Sequence, residues 1–259
     1  AIRRQAARGR FEMLHAHMLH PEGHCALKAA RATGLPLVVT GHGEDIQIDP
    51  SCGYGVRLKP GIDAQVRQVL NGADALVAIS DSMKAQMIEA GARPERVSVV
   101  RWGWSLQTAS GASFENPGYI VSVGRFVPKK GYDLLLRAMQ LMVADHPEAR
   151  LLIAGEGPDR AELERLCRAL GIEGHVRFLG FIDGPAKSRL YQDASIFVCP
   201  SRWEPLGLVN LEAMGCGLPV VAFRIDGIPE IVPDGRAGLL ATPGNFEALA
   251  MAMGRLLSD

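Results

Sequence analysis

The sequence predicts an α/β chain made of two doubly wound domains with parallel sheets. Short runs rich in Val, Ile and Leu alternate with helix-period segments almost throughout the 259 residues. Such alternation is the pattern of β-α units in a parallel sheet. The alternation is interrupted once, by residues 107–117 (QTASGASFENP), which are small, polar and aperiodic and read as an interdomain linker. After this break come six strand-helix repeats, enough for a whole domain. Before it come only four.

In order, strands are expected over residues 13–15, 37–40, 75–79 and 97–100, then over 119–123, 150–154, 176–179, 195–199, 219–223 and 238–240. The helix over 159–170 shows the logic of the elements between them. Leu163, Leu166, Cys167 and Leu170 recur at i, i+3, i+4 and i+7, one apolar stripe to lay on a sheet, and Gly171 then stops the helix. A first sheet of four strands leaves an edge unpaired. Residues 1–106 are therefore expected to be a partial N-terminal domain, 107–117 the linker, and 118–259 a C-terminal domain with a complete alternation. The opening on alanine and the close on MAMGRLLSD, in mid-helix, add the expectation of a fragment. From this follows a further expectation: a soft first domain, a cooperative nucleotide-binding second domain, and little turnover by the chain alone.

Composition excludes several classes. At 47% hydrophobic and 22% charged the chain has ordinary globular composition, and a formal net charge of zero offers no global field for nucleic acid. No apolar run approaches the ~18 residues of a membrane-spanning helix, and no signal peptide is visible. Five scattered cysteines with no C-x-x-C pair read as reduced, mostly buried thiols of a cytosolic protein. Arg3, Arg4, Arg8 and Arg10 read as a solvated helix face, with contact to the inner face of a membrane as the alternative.

The most informative stretch is residues 199–219, CPSRWEPLGLVNLEAMGCGLP, which follows a strand. It therefore sits at a strand's carboxyl end, where open α/β sheets bind ligands. Pro205 holds Glu204 in the loop, and Gly207 permits a turn into a helix. The amides of Gly207, Leu208 and Val209 would form the start of that helix, an anion site carrying roughly half a positive charge. Glu204 and Glu212 would bracket it, ready to accept hydrogen bonds from hydroxyls on either side of a phosphate. The spacing fits equally a Glu212 that only complements the helix dipole and a solvated Glu204. A second stretch, residues 119–137, ends a strand at Gly124 and then presents Arg125 and Lys130. Two cations at a strand's carboxyl end could neutralise a diphosphate, or could be plain surface charges. A third, LLIAGEGPDR, places Gly155 and Gly157 after a strand, a G-x-G of the kind that admits close ligand approach.

Together, VGR…KKG, AGEGP, FLGF, EPLGLVNLEAMGCGLPVVA and DGIPEIV resemble the large family-4 group of retaining glycosyltransferases. HAH, VVTGHGED, ADALVAIS and VSVVRWGWS resemble the later part of that family's N-terminal domain. The resemblance implies the GT-B architecture: two Rossmann-like domains facing each other, the first incomplete here. It implies sugar transfer from a nucleotide-diphosphate sugar to the hydroxyl of a sugar or lipid-linked acceptor, with retention, without a metal and with no cofactor. Glu204 and Glu212 then match the family's E-x7-E acids, the first for donor-sugar hydroxyls and the second for the ribose. Arg125 and Lys130 match the diphosphate pair, and the amides of Gly207, Leu208 and Val209 the phosphate-binding helix start. Phe178, Gly180 and Phe181 border the base, Gly155 lies beside the donor, and His42 of TGHG faces the reaction centre. Asp226, where the family has glycine, and Trp102-Gly103, in place of Asn-Gly, depart from the pattern.

Other signals carry less. His15, His17, His20 and His24 invite a zinc reading, but HPEGH is not H-E-x-x-H, and Pro21 with Gly23 breaks any helix aligning His20 with His24. No metal is expected there. Cys199, Cys216, Met139, Met142, Met251 and Met253 read as core, while Arg202 and Trp203 could shape a sugar pocket or simply pack. Two rival readings remain at this point: a nucleotide-sugar 2-epimerase of the same architecture, and a non-catalytic sugar-nucleotide-binding module.

Overall fold

A computed structural model describes residues 11–103 and 118–258. The chain divides into two compact units, Ala1–Trp102 and Gly103–Asp259. Both the linker read over 107–117 and the four arginines before residue 11 lie outside the described residues.

In the first unit four parallel strands stand in sequence order: β1 (Leu14–His17), β2 (Leu37–Thr40), β3 (Ala75–Ala78) and β4 (Val97–Val99). Helices α1 (His24–Thr33), α2 (Ile62–Gly72) and α3 (Asp81–Glu89) connect them. Leu37 and Val39 of β2, Leu76 and Ala78 of β3, Val66, Val69 and Leu70 of α2, and Met83 and Met87 of α3 are all buried. The start of α3 is fixed by Ser80, whose hydroxyl accepts the Met83 N–H at 3.0 Å.

The second unit has strands β5 (Tyr119–Val123), β6 (Leu151–Ala154), β7 (Val176–Gly180), β8 (Ala194–Cys199), β9 (Val220–Phe223) and β10 (Gly238–Ala241). Its helices are α4 (Tyr132–Asp145), α5 (Arg160–Ala169), α6 (Gly184–Gln192), α7 (Leu208–Gly215), α8 (Ile228–Ile231) and α9 (Phe246–Ser258). The parallel sheet runs β10-β9-β8-β5-β6-β7. Both faces are covered, so neighbouring strand residues enter opposite cores. Ile120 packs with Leu135, Met139, Leu163 and Leu249, while Val121 packs with Tyr191, Phe197 and Ala213. The chain winds outward from β5 through β6 and β7, then returns to the other side of β5 as β8. The β5–β8 boundary is therefore the topological switch point, where open sheets leave a crevice at their carboxyl ends.

All ten expected strands are present within one or two residues of the expected bounds. Two side-chain expectations need correction. Met251 is 76% exposed, whereas Met139, Met142 and Met253 are buried. On α9 the inward side chains are Leu249, Ala250 and Met253, and a residue two places from each of Leu249 and Met253 points the other way. The thiols are not mostly buried either: Cys167 and Cys199 are, Cys216 is half-buried, but Cys25 and Cys52 are exposed. No helix among the described residues is long and apolar enough to cross a membrane.

Candidate active site

The two motif-bearing loops leave the two strands that flank the switch point, Gly124 to Gly131 after β5 and Pro200 to Gly207 after β8. Glu204 sits in the second loop and is only 8% exposed. Its carboxylate accepts from Lys130 Nζ at 2.5 Å and from Ser201 Oγ at 3.2 Å. Its backbone is held too: the Glu204 N–H donates to Asp226 Oδ2 at 2.9 Å, and its carbonyl accepts the Gly227 N–H at 3.3 Å. Asp226 holds this place with a positive φ of 41°. This is one of the departures from the family pattern, and it supplies a carboxylate where glycine would supply none.

Lys130 closes a 3-10 turn, Pro128–Lys130, and its side chain is 16% exposed. Burial alone would lower its pKa. The Glu204 carboxylate, through charge and hydrogen bond, outweighs this and holds the ammonium above the usual lysine value. Neither member of the pair is thus the solvated charge that spacing allowed. Arg125, by contrast, is exposed in the loop after β5.

Gly207, at φ 91°, is the residue before α7, which begins at Leu208 as the sequence predicts. Glu212 lies in the second turn of α7. Its Oε1 accepts from Lys187 Nζ at 3.0 Å and its Oε2 from the Tyr191 hydroxyl at 2.9 Å, both from α6. Burial and the adjacent Glu212 raise the Tyr191 pKa far above the ordinary phenol, so the hydroxyl remains a donor. Within α7, Asn210 is fully buried and its carboxamide makes no hydrogen bond among the described residues. Cys199, at the end of β8, is buried, and burial followed by Glu204 raises its thiol pKa.

The G-x-G pair has a packing explanation. A Cβ on Gly155 would lie 1.8 Å from the Gly124 carbonyl oxygen, and one on Gly157 would lie 2.3 Å from the Phe126 carbonyl oxygen. What approaches closely is the neighbouring chain. Phe178 is packed edge-on to Phe126 with centroids 5.9 Å apart. Gly180 turns the chain at φ 80°, and Phe181 beyond it is 69% exposed at the sheet's carboxyl edge.

In the first unit, His42 follows β2. Its Nε2 lies 3.1 Å from His17 Nδ1, and its ring meets Trp102 edge-on at 4.8 Å. Asp45 fixes the turn, its Oδ1 accepting the N–H groups of His42 at 3.0 Å and Gly43 at 2.9 Å. Burial lowers the His42 pKa; Asp45 opposes this, and His17 and His15 add to it. His15 bonds to Thr40 Oγ1 at 2.9 Å. Among the described residues no group of three or more His, Cys, Asp or Glu is placed to hold a metal ion.

The structure thus gathers Lys130 and Glu204 into one buried pair at the switch point and puts Glu212 on the adjoining helix. Sequence reasoning missed Ser201, Asp226, Lys187 and Tyr191. Only Asp226 had left a signal, as a break in the motif.

Residues 106–259 match the family model described as glycosyl transferases group 1, and residues 1–107 match glycosyltransferase family 4. The chain is 34% identical, over 92% of its length, to the D-inositol 3-phosphate glycosyltransferase 2 of Catenulispora acidiphila, covering 61% of that protein. It is 30% identical, over 98% of its length, to the sulfoquinovosyl transferase SQD2 of Arabidopsis thaliana, covering 51% of it. The chain therefore spans about half to two thirds of these relatives. Among solved structures, HepE of Anabaena in complex with UDP and glucose aligns with a TM-score of 0.82 at 24% identity, over 100% of this chain and 72% of that one. The sucrose-phosphate synthase of Thermosynechococcus elongatus aligns with a TM-score of 0.83 at 24% identity, over 100% and 67%. These structures share the fold, two α/β units with parallel sheets of the GT-B kind.

Proposed function

Since the chain belongs to the glycosyl transferases group 1 family, we propose that it carries the donor side of a retaining glycosyltransferase, moving a sugar from a nucleotide-diphosphate sugar to an acceptor hydroxyl. The observation that carries this reading is the buried Lys130–Glu204 pair beside the start of α7, at the switch point of the sheet. A cation, an acid and a helix N-terminus at one point suit a ligand that is anionic at one end and hydroxylated at the other.

In this reading Arg125, Lys130 and the amides of Gly207, Leu208 and Val209 hold the diphosphate. Glu204 accepts from hydroxyls of the donor sugar and Glu212 from the ribose. Phe178, Gly180 and Phe181 border the base, and Gly155 lies beside the donor. The bond between the anomeric carbon and the diphosphate breaks, and the acceptor oxygen bonds to the same face of that carbon. The acceptor's proton passes to the departing phosphate oxygen. Negative charge grows on the diphosphate during this step, and preorganised cations and amides stabilise it in place of a metal. By the family resemblance His42, whose pKa burial lowers, is given the role of orienting the sugar. The acceptor is a sugar or a lipid-linked hydroxyl, reached from the cytoplasmic side of a membrane in the second case.

The relatives named above are transferases or synthases, and HepE has been captured with UDP and glucose. The test is product analysis with UDP-, GDP- and ADP-sugars, each with and without a panel of glycoside acceptors. Nucleoside diphosphate released only when acceptor is present, with the anomeric configuration kept in the product by NMR, is the expected result. Epimerised donor, or inverted product, would overturn the reading.

A further inference from the structure

We propose that Arg202 and Asp133 form a positioning pair that holds the Lys130 turn against the Glu204 loop, so that Lys130 is delivered to the diphosphate site. The inference rests on the reading of Lys130 given above. Its basis is a set of contacts that join Arg202 in the second loop to the chain from Pro128 to Asp133. The guanidinium of Arg202 grips Asp133 with both prongs, Nη1 to Oδ1 and Nη2 to Oδ2, each at 2.7 Å. Nη1 also donates to the carbonyl of Pro128 at 2.9 Å, and the Arg202 backbone N–H donates to the Lys129 carbonyl at 2.7 Å. Residues 128 and 129 are the first two of the turn that ends in Lys130, and Asp133 lies in the first turn of α4 behind it.

The backbone makes the approach possible. Gly131 has φ 65°, and a Cβ there would lie 2.0 Å from the Pro200 carbonyl oxygen. Only glycine lets the two loops close to this distance. At Gly124 the close neighbour of a Cβ would be the Tyr132 hydroxyl at 2.9 Å, while Cδ and Cε of Lys130 pass at 3.7 Å, in ordinary contact. The Lys130 side chain is thus laid over the end of β5, with its turn fastened to the loop that follows β8.

The fork specifies the residue type. Two parallel charge-assisted bonds fix an angle as well as a distance, which a lysine ammonium cannot do. The guanidinium donates to Asp133 and Pro128, which suits a residue that holds the turn. Burial raises the Asp133 pKa, yet the Arg202 hydrogen bonds and charge outweigh it and keep the carboxylate ionised.

The experiment measures the reactivity of the Lys130 amine directly. Reductive methylation of the 259-residue chain, followed by mass spectrometry of the Lys130 peptide, reports how tightly that amine is held. Arg202→Met and Asp133→Asn are each expected to raise the Lys130 labelling rate about tenfold. They should also weaken UDP, GDP or ADP, whichever the chain binds, about tenfold while leaving the matching nucleoside unchanged. Arg202→Lys, which keeps the charge and loses the fork, should fall between. The exchanged pair Arg202→Asp with Asp133→Arg should restore slow labelling, which also covers the case of a single variant that folds poorly. Unchanged Lys130 labelling in folded Arg202→Met would overturn the proposal and leave Arg202 a packing residue. Faster labelling with undiminished diphosphate binding would keep the clamp and refute the phosphate role of Lys130 instead.

Discussion

Replacing Lys130 by methionine removes the cation that, among the described residues, is bonded to Glu204, while keeping most of the side-chain volume. Glu204 is 8% exposed and, among the described residues, its carboxylate retains the 3.2 Å bond from Ser201 Oγ, so its negative charge becomes costly. Breaking such a pair from one side typically costs about 3–5 kcal/mol. The expected loss at pH 7 is therefore about 3 kcal/mol, or about 10 °C in melting temperature for a unit of this size. In the wild type the folded pKa of Lys130 is raised above the usual 10.5. Its stabilisation is complete below that value and is lost as pH climbs through the folded pKa. Differential scanning calorimetry of wild type, Lys130→Met and Lys130→Met/Glu204→Gln between pH 5 and 8 tests the reasoning. The double variant should recover most of the loss, since it buries no unpaired charge. A double variant as unstable as the single one would show that the pair's electrostatics are not what Lys130→Met disturbs.

Arg125→Ala should weaken nucleoside diphosphates by roughly 1.5–3 kcal/mol and nucleosides hardly at all, as read by calorimetric titration; equal losses would remove Arg125 from the phosphate site. Glu212→Ala should weaken every ribonucleotide, whereas Glu204→Ala should act chiefly on ligands that carry the sugar; identical profiles over monophosphate, diphosphate and sugar-bearing ligands would refute this division. Tyr191→Phe deletes the 2.9 Å bond to Glu212 from a fully buried ring. It should cost about 1–3 kcal/mol in urea unfolding and loosen nucleotide binding, and a wild-type midpoint would show that water replaces the bond.

The strand pattern was legible because it depends on local periodicity, and residues 119–123 or 37–40 can be read without knowing their neighbours. Helix faces were legible where an apolar stripe was strict, as at Leu163 and Cys167, and misread where it was loose, as at Met251. The two loops of the candidate site were marked by their proline and glycine punctuation, and the resemblance assigned both to one proposed donor site. The partners of each acid were beyond reach. Lys130 meets Glu204 across 74 positions, and Lys187 meets Glu212 across 25. No local rule selects one lysine among the cations of the chain. The glycines of the G-x-G pair show a related limit, since sequence signals that something comes close without saying what. Here that something is the backbone of the preceding strand's loop.

The order of strands has a consequence for how the chain is made. β5 is bordered by β6, which follows it at once, and by β8, which begins 75 residues later. At about 5–20 residues per second, synthesis delivers β8 roughly 4–15 s after β5. Through that interval β5, in its Tyr-Ile-Val-Ser-Val sequence, presents one bare row of amides and carbonyls at the centre of the future sheet. The two loops of the candidate site also remain apart until β8 docks. Under the proposed function, a nascent chain that binds nucleotide has already closed its central gap, and nucleotide present during translation would reward only those chains that have.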